Sequence, residues 1–212
     1  MVDFLHVIPA FALTVLVIVA VPGQGVAMVL RQSILSGKQA AFYSVMGNTS
    51  GLVIWGVLSS VGLSAIFQAS PFAFNTLKWA GVAYLTLLSI QTLLELRNQA
   101  GKFEYEKGEK AKGFGPAFRI GITTNLTNVK AAVFSVGLVP QFVPESFNLG
   151  WGILILSLIW AVISMSWYSL MITIVDRSSK WIQIPRVRRA LTAFSAVGIA
   201  VLAIGLAFTS AN

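Results

Sequence analysis

Apolar residues fill this chain in long blocks separated by short polar stretches. A helix needs about 20 mostly apolar residues to cross roughly 30 Å of hydrocarbon. Six blocks meet that length, approximately Phe4 to Val21, Ala40 to Phe67, Phe72 to Leu96, Ala117 to Val143, Gly150 to Val175 and Ala190 to Thr209. The pattern predicts an all-α integral membrane protein with six transmembrane helices. The first block carries Asp3 and no base before it, and its apolar run exceeds a signal-peptide core, so it reads as a permanent span.

The longest polar stretch, Asn98 to Gly115, contains "GKFEYEKGEKAKGFG" and has no apolar period. It reads as a flexible linker, 98–115, within a single membrane domain of residues 1–212. It separates a first three-helix half, 1–97, from a second, 116–212. Three is odd, so the halves must enter the membrane in opposite directions, which gives two inverted three-helix repeats. In that architecture a substrate site lies at the midplane between the halves.

Composition agrees with membrane residence. Of 212 residues 56% are hydrophobic and only 10% charged, with mean hydropathy +0.80; a soluble domain has about 25% charged residues. Cysteine is absent and His6 is the single histidine. Disulfide scaffolds, thiolate metal sites and poly-His sites are therefore excluded, and no metal or other cofactor is expected.

The excess of 15 Lys and Arg over 7 Asp and Glu reports orientation. Arg31 and Lys38 fall in the first connection. Arg97, Lys102, Lys107, Lys110, Lys112 and Arg119 lie in or beside the third, and Arg177, Lys180, Arg186, Arg188 and Arg189 in the fifth. The second and fourth connections hold only Lys78 and Glu145. By the positive-inside rule the odd connections are cytoplasmic and both termini are outside. The basic balance then requires no nucleic acid. A polyanionic lipid contact at the fifth connection stays open.

Two spans carry signals for a break. Span 1 ends in "VPGQG": Pro22 has no amide hydrogen, so the carbonyl near Ile18 loses its helical partner, and Gly23 and Gly25 permit unusual backbone angles. A short helix, Val26 to Leu35, should follow, its unpaired first amides pointing back at the break and suited to a carboxylate. The plainer alternative is a simple stop and turn. In span 4, "TTNLTNVK" places Thr123, Thr124, Asn125, Thr127, Asn128 and Lys130 inside an apolar block. A lysine at bilayer centre costs about 2.5 to 3.5 kcal/mol, so Lys130 must face protein or water, or else reach along its stem to an interface. Asn side chains both donate and accept, and so can satisfy backbone freed by unwinding. Breaks in the first span of each half are what an inverted-repeat site predicts.

Other intramembrane polar groups carry less. Asn48, Thr49 and Ser50, flanked by Gly47 and Gly51, line a pathway or serve close helix packing. The small face of span 6, from Ala193 to Ala207, is packing, and Tyr84 of span 3 reads as core with a reach to the cavity as the alternative. Trp79, Trp151, Trp167, Trp181 and Tyr168 read as interface or core aromatics.

With these residues in view the chain resembles the LysE/RhtB family of bacterial amino-acid exporters over nearly its full length. The resemblance rests on "VPGQG" in place of the family's Pro-Gly-Pro turn, "SGKQAAFYSVMGNTSG", "LKWAGVAYLTLL", and "GITTNLTNVKAAVFSVGLVPQFV", which is similar to the family's Asn-Leu-x-Asn-Pro-Lys segment followed by Pro-Gln-Phe. Three departures stand out. Gln24 replaces the second Pro, which predicts a less rigid break. Val129 replaces the Pro before the lysine, which predicts a more nearly continuous span 4. Leu52 follows Gly51 where many members have an acid.

The resemblance implies a non-enzymatic secondary transporter of the bacterial inner membrane, exporting neutral amino acids or derivatives of the threonine, homoserine or leucine kind by proton-coupled alternating access. The expected substrate-binding residues are Pro22, Gly23, Gln24, Gly25, Asn48, Asn125, Asn128 and Lys130. Glu95 and Asp176, both near span ends, are the only acids in the six spans. Lys130 is therefore the proton-coupling candidate by elimination. Partners are the amino acid, protons as coupling ion and the lipid bilayer; a homo-oligomer stays open. The rivals are a non-transporting scaffold or accessory subunit and an exporter of a different small solute.

Overall fold

A computed structural model of the chain describes residues 2–20, 23–69, 111 and 113–182, together with scattered helical positions between 72 and 94 and between 193 and 204. Spans 3 and 6 as continuous elements, nearly all of the 98–115 linker, Pro22, Lys78, Tyr84 and Glu95 lie outside the described residues.

Every regular element among the described residues is helical. α1 is Val2–Ala20, α2 Gln24–Leu35 and α3 Gly37–Ala69; α4 is Phe114–Leu126, α5 Val129–Val133, and α6 Leu149–Ile182. Between α5 and α6 the chain passes through a π-helical turn, Phe134–Leu138, and a 3-10 turn, Val139–Phe142. Among the described residues three stretches are long and apolar enough to cross a membrane: Asp3–Ala20, Gly37–Gly62 and Leu149–Val175. They correspond to spans 1, 2 and 5 of the sequence pattern.

Span 1 stops where proline chemistry dictates. α1 ends at Ala20 and α2 restarts at Gln24 with Gly23 as its N-cap. At the far end of α2 the chain turns into α3 through Gly37, whose φ of 85° is a left-handed conformation that costs a glycine little.

Span 4 is interrupted where its polar run predicts a break, although Val129 in place of proline would favour continuity: α4 ends at Leu126 and α5 starts at Val129. The reason is Asn128: its backbone is extended at φ −81° and ψ 101°, and its side chain accepts a hydrogen bond from the Lys130 amide at 3.1 Å. An asparagine that caps a new helix ends the old one without proline's help. Pro140, lacking its own amide hydrogen, then accounts for the widened turn before it, closed by the Val139 amide on the Phe134 carbonyl.

α3 is the hub, packing on both α4 and α6. At the α3–α4 crossing a Cβ on Gly47 would strike the Phe118 carbonyl oxygen, and one on Gly121 the Ser44 carbonyl oxygen. The backbones touch there because neither helix presents a side chain. The core joins Phe11 and Val15 of α1, Val29 of α2, Val45 of α3, Phe134, and Ile153, Leu156 and Ile172 of α6. The Phe134 ring lies 6.3 Å from Phe11 and meets Trp160 edge-on at 4.6 Å.

Two contacts sort the ends of the bundle. The Ala111 amide donates to Ser36 Oγ at 3.0 Å, placing the first connection beside the third. At the start of α1, Ser146 Oγ donates to Asp3 at 3.1 Å and Phe147 stacks on Phe4 at 4.4 Å. The start of the chain therefore lies beside the fourth connection.

Candidate functional site

The two helix breaks meet. α1 leaves its last carbonyls without helical partners, and the Lys130 Nζ, from the first turn of α5, donates to the Ile18 carbonyl at 3.0 Å. A cation on the C-terminal end of a helix also satisfies that end's partial negative charge. Lys130 is turned inward to this carbonyl and does not reach along its stem toward a membrane surface.

Around this junction lies a cavity of about 20 Å³, lined by Ile18 and Val19 of α1, Asn48 and Leu52 of α3, Asn125, Asn128, Lys130 and Ala131 beside the second break, and Trp160, Ser164 and Tyr168 of α6. Its size suits a water rather than an amino acid.

The walls are polar where the sequence concentrates asparagine. Asn125 Nδ2 donates to Asn48 Oδ1 at 3.5 Å, which leaves Asn48 Nδ2 and Asn125 Oδ1 buried without a partner among the described residues. Ser164 Oγ is in the same condition. Three orphaned polar atoms on residues that share one cavity indicate a place where water or solute completes the hydrogen bonding. Asn125 is fixed from behind, because a Cβ on Gly51 would come within 2.7 Å of its side chain, and its carbonyl accepts from the Trp55 indole at 3.5 Å.

Of the residues singled out in the sequence, Asn48, Asn125, Asn128 and Lys130 come together in this cavity. Gly23 and Gly25 stand at the start of α2, one wall away: the Tyr168 hydroxyl would lie 2.5 Å from a Cβ on Gly25, so glycine is what allows the phenol to sit on that first turn. Gln24 is exposed and does not line the cavity; Pro22 lies outside the described residues. The threonines of span 4 are otherwise engaged, Thr124 bonding back to the Ile120 carbonyl at 2.7 Å and Thr127 to that of Thr123 at 2.8 Å.

The α6 wall was missed. Tyr168, read from sequence as an interface or core aromatic, lines the cavity, and Trp160 and Ser164 were not singled out at all. The available signal was their spacing: residues 160, 164 and 168 fall four apart, on one face of a helix. Leu52 also lines the cavity, so the position where the resemblance places an acid is at the site and carries no charge here.

Comparison with known proteins gives a consistent family. Residues 16–210 match the family model described as LysE type translocator. Homoserine/homoserine lactone efflux proteins of Salmonella typhimurium and of Salmonella typhi are each 34% identical over 96% of this chain and 96% of their own length. YrhP, an uncharacterized membrane protein of Bacillus subtilis, is 24% identical over 84% of this chain and 88% of its own. No solved structure matches the chain.

Proposed function

The chain belongs to the LysE type translocator family and is a transporter rather than an enzyme, and on that premise we propose that it exports small neutral amino acids of the homoserine type from the cytoplasm. The observation that carries the reading is the junction of two helix breaks, where Lys130 meets the end of α1 and lines one cavity with three asparagines. The substrate carboxylate takes the Lys130 ammonium and the free amides at the start of α2. Its ammonium takes asparagine oxygens and the carbonyls freed by the breaks. The two halves form inverted three-helix repeats, and their relative rocking opens the cavity to each side in turn.

Coupling to proton entry completes the proposal, with Lys130 as carrier. Among the described residues it is the only cationic or acidic side chain on the cavity wall. Lys130 exchanges the Ile18 carbonyl for substrate as the breaks part, so loading and release of the solute alter its surroundings in each cycle.

The test is flux of radiolabelled homoserine and other amino acids in proteoliposomes, with and without an imposed pH gradient. Saturable flux, accelerated by the gradient, is expected for the wild-type chain, and gradient-driven flux is expected to vanish in Lys130→Ala. Absence of saturable flux for every amino acid removes the export reading and favours a scaffold. Intact gradient-driven flux in Lys130→Ala removes Lys130 as the proton carrier and leaves export standing.

A further inference from the structure

The orphaned atoms of the cavity differ in kind, and the difference specifies more of the substrate than its amino-acid backbone. The Asn48–Asn125 pair uses one donor and one acceptor and leaves one of each. Turning both side-chain amides over re-forms the pair with the roles exchanged and again leaves one donor and one acceptor. An acceptor suits the substrate ammonium; a donor, beside Lys130, suits the carboxylate. Those groups are common to all amino acids, and the asparagines and Lys130 account for both.

Ser164 is left over. It is 1% exposed, its Oγ has no partner among the described residues, and it lines the same cavity. A hydroxyl both donates and accepts, so its natural complement is another hydroxyl or a water. Trp160 and Tyr168 stand one helical turn to either side of it, and Leu52, Ile18 and Val19 supply the remaining apolar wall. With no solute present the cavity has room for a water to satisfy Ser164. A solute that displaces this water without replacing its hydrogen bonds leaves Ser164 orphaned, which is how a polar site rejects an analogue lacking one hydroxyl.

Resting on the export reading and deepening it, we propose that Ser164 is the specificity residue that recognises a hydroxyl on a short substrate side chain. Ser157 is its control. It lies two turns away on α6, is 2% exposed and likewise has an unpartnered Oγ, but it packs on Gly56 outside the cavity lining.

The experiment measures kcat/KM in proteoliposomes for homoserine and for 2-aminobutyrate, which has the same skeleton without the hydroxyl. The wild-type chain prefers homoserine. Ser164→Ala lowers the homoserine to 2-aminobutyrate ratio about tenfold, the scale of one net hydrogen bond, and Ser157→Ala keeps the ratio. An unchanged ratio in Ser164→Ala, or a loss shared equally by both solutes, overturns the role of Ser164 while export stands. Absence of saturable flux of either solute in the wild type removes the export reading, and this proposal with it.

Discussion

Asn128 caps a helix and, in the proposed function, binds substrate, and the two roles separate by substitution. Its side chain caps α5 through the Lys130 amide, and it lines the cavity with only 9% of its surface exposed. Replacing an asparagine N-cap by alanine costs about 1 kcal/mol, whereas serine caps nearly as well. Asn128→Ala is therefore expected to abolish homoserine export at normal membrane abundance and to lower the melting temperature in detergent. Asn128→Ser should restore the melting temperature but not the export, because the shorter hydroxyl does not present an amide to the substrate. Full export by Asn128→Ser would show that the residue acts as a cap alone.

Helix pairs translate such residues into a site. Asn48 and Asn125 come within hydrogen-bonding distance because α3 and α4 cross at Gly47 and Gly121 with backbone against backbone. A methyl group at either glycine meets a carbonyl oxygen and forces the helices apart, a strain of about 1 to 3 kcal/mol. Gly47→Ala and Gly121→Ala are each expected to lower thermal stability in detergent and to weaken export, while Gly115→Ala, where an added Cβ meets nothing within 4 Å, leaves both unchanged. Wild-type melting temperatures in the first two variants would rule out this crossing as the support of the asparagine pair. The same level shows what a sequence carries. Spans 1, 2 and 5 were legible because hydrocarbon thickness fixes their length. The breaks were legible because Pro22, Gly23 and the Thr-Asn run cannot continue a helix in lipid without other partners. Trp160, Ser164 and Tyr168 were not, since α6 is apolar from Leu149 to Val175 and which stripe faces inward depends on rotation about its axis, a property of packing. Val129 in place of proline does not heal the span 4 break, because the asparagine before it caps the new helix.

For the molecule as a whole, the ends and the middle obey one constraint, that charge stays out of the hydrocarbon unless protein surrounds it. The Ser36–Ala111 contact gathers the first and third connections at one end, and the Asp3–Ser146 contact sets the start of α1 with the fourth connection. Thirteen of the fifteen bases belong to the odd connections or their edges, and from the positive-inside rule we propose that the Ser36 end is cytoplasmic. In that proposed orientation α2, which runs from the span 1 break to Ser36, ends on the cytoplasmic side. The absence of cysteine makes the orientation simple to test. Lys38 and Glu145 are both exposed, the first near the Ser36 end and the second in the fourth connection. In intact cells a membrane-impermeant thiol reagent is expected to label Glu145→Cys at once and Lys38→Cys only after permeabilisation. The reverse pattern would turn the bundle over and place the Ser36 end outside.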